Sequence, residues 1–356
     1  MKCMENLYRT QIPNDVVMDY LILYKSIGNN GHNHEILEPD YDVMVRQTVR
    51  DDTYFFTKIF DLNITESRFK SLIYKGVKVK NKDEQVVQNI YNAFIKIHDE
   101  TSSFDLLVSE VQDLLRFLYG DMLSQQKLQF RKFKSDQKHA TLLTSKAGST
   151  RETLEQMIHL FKRALEHHEY EVSYVIMNFY IDFLHIKPFE EKNEEVALIL
   201  MYILLLANGY EVFEYVSFFE ELYKNKAEFD TSVMQSSFNW ELGYAQILPL
   251  HKMIVRMSIR SYETLNLLVR DYQYDKHLNK SDNVENTINK LDDVFSKDDI
   301  RTVHPYISDS TINRTLKRLR DEKKIRPLGK GRSAKWIKLQ VNKKKKLEFK
   351  QLDLDL

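Results

Sequence analysis

The sequence predicts a mainly α-helical protein, a helical bundle followed by a small C-terminal winged helix-turn-helix. Three observations carry this. Glycine and proline are scarce, 9 and 6 in 356 residues, while apolar residues make up 43%, a composition suited to helices packed around a core. Apolar side chains recur at intervals of three and four in several stretches from Gln85 to Leu165, the helical period. The run Val196–Ala207 is apolar on every face, so it is expected at the centre of a bundle. The length allows two or three domains. The expected organisation is an N-terminal helical extension at 1–59, a helical domain at 60–270, a linker at 271–283, the winged helix at 284–341 and a charged tail at 342–356.

Within the extension, "DVVMDYLILYKSI" is helical and "GNNGHNHEILEPDYD" reads as a polar loop. That loop holds His32, His34, Asp40 and Asp42, without the regular spacing of metal ligands, so a solvated loop is expected. From Gln85 to Leu165, "QVVQNIYNAFIKI", "SSFDLLVSEVQDLLRFLYGDML" and "RETLEQMIHLFKRALEHH" are amphipathic helices. Between the last two, "SQQKLQFRKFKSDQKHATLLTSKAGS" is polar and broken, an exposed loop or hairpin. A helix over Tyr170–Leu184, a short loop and the Val196–Ala207 helix follow, the last stopped by Asn208-Gly209, a good helix terminator. Further helices complete the domain, and the aperiodic "DYQYDKHLNKSDN" is the linker.

The C-terminal module begins with a helix at about 285–295. Ser296 caps a second helix that stops before Pro305, and Ser308 caps a third from Asp309 to Glu322. Ile312, Leu316 and Leu319 form the buried stripe of the third helix, which turns Ser310, Asn313, Arg314, Lys317 and Arg318 outward. "KIRPLG" and "AKWIKL" are strands joined by the wing "KGRS", with Gly329 and Gly331 at the turn. From Asp309 to Lys346 there are 15 Lys/Arg against 3 Asp/Glu, so the other 37 basic and 49 acidic residues leave an acidic body. Such a basic module suits an anionic partner. A winged helix can set its third helix in a major groove. Asn313 and Arg314 are the side chains suited to base edges; Lys317, Arg318, Lys330, Arg332 and Lys335 complete the expected nucleic-acid-binding set. DNA is therefore the expected partner. Docking of a protein is the alternative for such a module, and Lys343–Lys346 would add nonspecific attraction.

The stretch "HIKPFEEKNEEVALILMYILLLANGY" asks for chemistry, because a loop meeting the start of a buried helix is a natural anion seat. Its segment "KPFEEKNEEVAL" resembles the motif H-P-F-x-D-G-N-G-R-x-x-R of the Fic (Fido-fold) family. "VVQNIYNAF" is similar to an upstream family helix, and "YVSFFEELYKNKAEFDTSVMQSSFNW" to the segment after the motif helix. The resemblance covers roughly residues 60–270, and a C-terminal winged helix is a common attachment in the family. It implies a Fic-like helical bundle and, in active members, transfer of AMP from ATP to a protein hydroxyl with Mg²⁺.

Pro188, Phe189 and Asn193 match the motif, Asn193 standing at a nucleotide-binding position. Glu191 keeps an acid at the metal position. Lys187 replaces the histidine that serves as catalytic base, and a lysine ammonium cannot accept a hydroxyl proton. Lys192 and Glu194 replace the glycines, and Glu195 and Leu198 replace the phosphate-holding arginines. Carboxylates in the first turn would meet a triphosphate at a cost of about 1–4 kcal/mol per close like-charge contact. No S/T-x-x-x-E-G/N inhibitory helix is found in residues 50–80.

The expectation is a catalytically degenerate Fic-like protein, a DNA-binding or regulatory module with no cofactor. The alternative is an atypical protein adenylyltransferase with ATP and Mg²⁺, the metal held by Glu191 with Glu194 and Glu195. Neighbouring His167 and His168 cannot share a helix face, and Cys3, near a frayed terminus, lacks an identifiable base. Aromatic residues such as Trp240 are expected in the core. A single cysteine suits a reducing cytoplasm, and "MKCMENLYRTQ" lacks the apolar stretch of a signal peptide. The longest apolar run, Val196–Ala207, is shorter than the about 20 residues of a membrane span. Homo-oligomerisation is left open.

Overall fold

The computed structural model describes residues 2–100, 104–132, 149–277, 280–329 and 334–339. The chain forms two compact units, Met1–Arg270 and Asp271–Leu356. The first opens with a 3-10 turn at Met4–Arg9 and continues through α1 (Asn14–Leu37), α2 (Tyr41–Ile59), α3 (Glu66–Ile73), α4 (Lys82–Glu100) and α5 (Val108–Tyr119). It goes on with α6 (Thr150–Glu166), α7 (Val172–Ile186), α8 (Asn193–Ala207), α9 (Phe218–Lys224), α10 (Lys226–Ser237) and α11 (Leu248–His277). Every residue of α8 from Val196 to Leu206 is buried, as expected of a helix without a polar face. α7 packs along it, α6 covers α7, and α5 touches both α6 and α8. α4 lies between α5 and α2, and α2 carries α9.

Residues 1–59 are an integral part of this unit, not a separate extension. Val16, Leu23, Leu37, Val49 and Phe56 lie in its core. The expected loop at 28–42 is also corrected: α1 runs unbroken to Leu37, and only Glu38–Asp40 form a 3-10 turn before α2. Tertiary partners explain the difference. Asn30 donates to Glu211 at 3.2 Å, Asn33 donates to Asn266 at 3.0 Å, and His34 Nδ1 is 2.6 Å from the Tyr215 hydroxyl. Residues that usually favour turns are thus bonded to neighbouring elements through Asn30 Nδ2, Asn33 and His34, and the helix persists. Of the polar segment at 124–149, residues 133–148 lie outside the described residues. The described part turns at 124–129 and makes a β-bridge from Phe130 to Phe189.

Asp52 shows how the core tolerates a charged group. This fully buried carboxylate of α2 accepts from Tyr202 at 3.0 Å, from Ser217 at 2.6 Å and from the Phe219 N–H at 3.1 Å. It thereby ties α2 to α8 and to the start of α9. Burial is the largest influence on it and raises its carboxyl to about 7.

The expected linker is corrected as well. Residues 271–277 complete α11, and α12 (Lys280–Lys290) begins almost at once. Tyr272 is buried despite its polar neighbours. After α12, the second unit contains β1 (Val294–Phe295), α13 (Lys297–Val303), α14 (Asp309–Asp321), β2 (Ile325–Pro327) and β3 (Trp336–Lys338). The strands form an antiparallel sheet in the order β1-β3-β2, with Val294 and Arg326 both opposite Ile337. The helix expected at 285–295 therefore stops at Lys290, because Val294 and Phe295 pair with β3. Ser296 forms a capping box with Asp299, and Ser308 accepts from the Thr311 N–H. Ile312, Leu316 and Leu319 join Val284, Ile288, Phe295 and Ile325 in one apolar cluster.

No helix among the described residues is long and apolar enough to cross a membrane.

Candidate functional site: the α7–α8 loop and the outer face of α14

α7 ends because Lys187 adopts a left-handed conformation, φ 45°, and Pro188 follows. A proline cannot supply the N–H that the next helical bond needs. The Pro188 carbonyl accepts from the Arg131 N–H at 2.8 Å and from the Thr150 hydroxyl at 2.9 Å. The Arg131 guanidinium donates to the Ile186 carbonyl at 2.8 Å, and the Phe130 and Phe189 rings lie 5.0 Å apart. The loop is thus fastened from outside by residues 130–131 and the start of α6.

Asn193 fastens it from inside. Its Oδ1 accepts from the Phe189 N–H and its Nδ2 donates to the Phe189 carbonyl, each at 2.9 Å. Asn193 is the first residue of α8; the capping position is Lys192, left-handed at φ 64° and without a side-chain cap bond.

The charged residues of the loop are dispersed. Lys187 and Glu194 are exposed. Glu191 pairs with Lys127 at 2.5 Å, and buried Glu195 pairs with Lys192 at 2.6 Å. The Lys192 ammonium also lies 5.0 Å from the centre of the buried Tyr119 ring. Burial, and then the Glu195 charge, push the Tyr119 phenol well above its ordinary range. Leu198 is buried in the core. The triad expected for Mg²⁺, Glu191 with Glu194 and Glu195, is not gathered: among the described residues no three His, Cys, Asp or Glu side chains converge as a metal site.

On α14, Ser310, Asn313, Arg314 and Lys317 are exposed while Ile312, Thr315, Leu316 and Leu319 are buried. No ion pair joins Arg314 or Lys317 to an acid among the described residues. Arg318 departs from expectation. It donates to Glu285 of α12 at 2.6 Å and is half-buried, because its place on the helix borders the α12 contact. Lys335 is exposed just before β3. Lys330 and Arg332 lie outside the described residues, as do Lys343–Lys346.

Three acids of the first unit that the sequence reading did not single out tie elements together, Asp52 among them. Asp182 accepts from the Cys3 and Met4 N–H groups at 3.0 and 2.9 Å and from the Trp240 indole at 2.7 Å. Cys3 is therefore buried and anchored, which corrects the expectation of a frayed terminus. An acid within the otherwise apolar "VIMNFYIDFL" was the available signal. Trp240 also stacks on His185, 4.5 Å apart and 10° from parallel, and burial lowers that imidazole from its ordinary value. The third site is Glu171, which accepts from Ser173 at 2.6 Å beside His251 at 3.2 Å. Ser173 and His251 have no exposed surface, so no substrate reaches this constellation.

No family model and no curated protein matches the sequence. Solved structures match the fold. A Fic family protein from Desulfovibrio desulfuricans G20 is 12% identical with a TM-score of 0.52, the match covering 93% of this chain and 97% of that one. A Fic domain containing signaling protein from Bacteroides thetaiotaomicron VPI-5482 is 15% identical with a TM-score of 0.54, covering 71% and 100%. Fic-1 from C. elegans, residues 134–508, is 12% identical with a TM-score of 0.53, covering 71% and 72%. The chain has the helical fold of Fic proteins.

Proposed function

We propose that this Fic-like chain is catalytically degenerate and acts as a DNA-binding regulatory protein through a C-terminal winged helix. The observation that carries the first half is the mouth of α8. An exposed lysine stands where Fic chemistry uses an imidazole, and Glu194 and Glu195 occupy the turn that would receive phosphates. Carboxylates there complement the helix N-terminus and repel a polyphosphate. Incubating the full chain with labelled ATP and Mg²⁺ or Mn²⁺ is expected to leave it unlabelled, and calorimetric titration of ATP–Mg²⁺ to give no binding heat.

The DNA-binding half is supported by the helix–strand–helix–helix–strand–strand order of the second unit and by the outer face of α14. The Desulfovibrio match also extends beyond Arg270, because 93% coverage of 356 residues exceeds a first unit of 270. Asn313 and Arg314 would face base edges while Lys317 and Lys335 approach phosphates. Binding to duplex DNA at low salt, weakened in Arg314→Ala and Lys317→Ala, is the expected result. Absence of binding, or binding indifferent to both substitutions, removes this half. In that case the module would be a protein-docking unit.

The second reading, an atypical protein adenylyltransferase, rests on Glu191, which keeps 39% of its side chain exposed on the loop. Label entering protein, and lost in Glu191→Ala, would promote it.

A further inference from the structure

A cleft of about 410 Å³ opens on the first unit between the Met4–Arg9 turn and residues 243–248, and it shares no lining residue with the α7–α8 loop. That volume lies in the range of small-molecule sites, about 300–1,000 Å³. Lys2, Asn6, Arg9, Asn178, Tyr244 and Gln246 supply its chemistry, and no acidic side chain lines it among the described residues. The Lys2 stem, the Asn6 amide and the Arg9 guanidinium come together beside Gly243. Gly243 has φ 75°, and a Cβ built there would meet the side chains of Lys2, Asn6 and Arg9 at 3.7, 3.8 and 3.9 Å. One nitrogen of Arg9 donates to the Gly243 carbonyl at 2.9 Å, which holds the guanidinium at the rim. The same guanidinium lies 5.8 Å from the ring centres of Tyr8 and Tyr244.

No acid among the described residues pairs with Lys2 or Arg9. Two cations in a recess without counter-charge attract an anion, and the walls strengthen that attraction by reducing screening. Asp182, bonded to the Cys3 N–H, is already matched by three N–H donors. The Cys3 thiol adds no charge, since burial pushes its ionisation upward. Tyr244, 66% exposed, lines the rim beside Arg9.

We propose that this cleft binds a small planar organic anion, its phosphate or carboxylate held by Lys2 and Arg9 and its flat face laid on Tyr244. Guanidinium and ammonium donors form charge-assisted bonds with either anion.

The test is calorimetric titration of the full chain with phenyl phosphate, benzoate, inorganic phosphate and benzyl alcohol. Phenyl phosphate or benzoate is expected to bind, the tighter of the two identifying the acid group, while benzyl alcohol does not. Lys2→Gln and Arg9→Gln should each weaken binding about tenfold or more, and Lys2→Arg should retain it. Because Arg9→Gln also loses the Gly243 bond, Lys2→Gln decides the matter if that variant misfolds by circular dichroism. Absence of binding by both aromatic anions, equal binding of benzyl alcohol, or indifference to Lys2→Gln would overturn the proposal. Inorganic phosphate binding as tightly as phenyl phosphate would overturn the role given to Tyr244.

Discussion

Asp52 illustrates what a single buried acid imposes on stability. Its carboxyl is raised to about 7 from an ordinary value of 3.8, chiefly by burial. The folded state therefore holds the proton more tightly than the unfolded chain. The stabilisation is complete below about pH 4 and is lost as pH rises through 7. Asp52→Asn removes the titration while keeping the shape. Its stability relative to the parent should grow between pH 4.5 and 7.5, by an amount on the order of a few kcal/mol. Urea unfolding at the two pH values measures this, and a constant difference would sink it. Asn193 offers a second measurement at this scale. Asn193→Ala strands the Phe189 N–H and carbonyl, so the urea midpoint should fall by an equivalent of about 1–3 kcal/mol. Asn193 could be found by motif register, but its partner could not. A left-handed Lys192 decides where the amide points, and nothing in "EEKNEE" announces that conformation.

The elements divide by the strength of their local signal. α8 was legible because an apolar run with no polar face can only be buried, and α13 and α14 were legible because Ser296 and Ser308 sit at their caps. β1 was not, since two residues carry no period. The second half of α1 was hidden by Gly28, Gly31 and three asparagines, whose helical state depends on partners as remote as Asn266. That history leaves a usable weakness. Gly28 and Gly31 lie within the helix with nothing within 4 Å of a built Cβ. Gly28→Ala and Gly31→Ala should each raise stability by about 0.5–1 kcal/mol. A lowered thermal midpoint in either would show that the helix breaks there.

For the whole molecule, charge segregation is the most informative property that the sequence displays. It pointed to the C-terminal unit, yet net charge cannot say which cations are engaged. The structure separates Arg318, bound to Glu285, from Arg314 and Lys317 on the outer face. The salt dependence of the proposed DNA binding should reflect this. Lys317→Ala is expected to reduce the slope of log affinity against log salt by about 1. Arg318→Ala should leave the slope unchanged and lower stability by up to about 1 kcal/mol. Filter binding across a salt series checks both, and the reverse pattern would reassign the contacts. The Fic fold was readable from motif order and spacing even though only Pro188, Phe189 and Asn193 keep the motif residues. The residues that carry a fold are spread through the core and tolerate exchange more readily than a catalytic set does.

The anchoring of Cys3 and Met4 on Asp182 has a practical corollary for handling the protein. Any splice or proteolytic cut beside Cys3 must leave these two amides able to reach their carboxylate, and cleavage that frees them would strand it. Preparations nicked there would then differ in yield and shelf life although every α-helix was left whole.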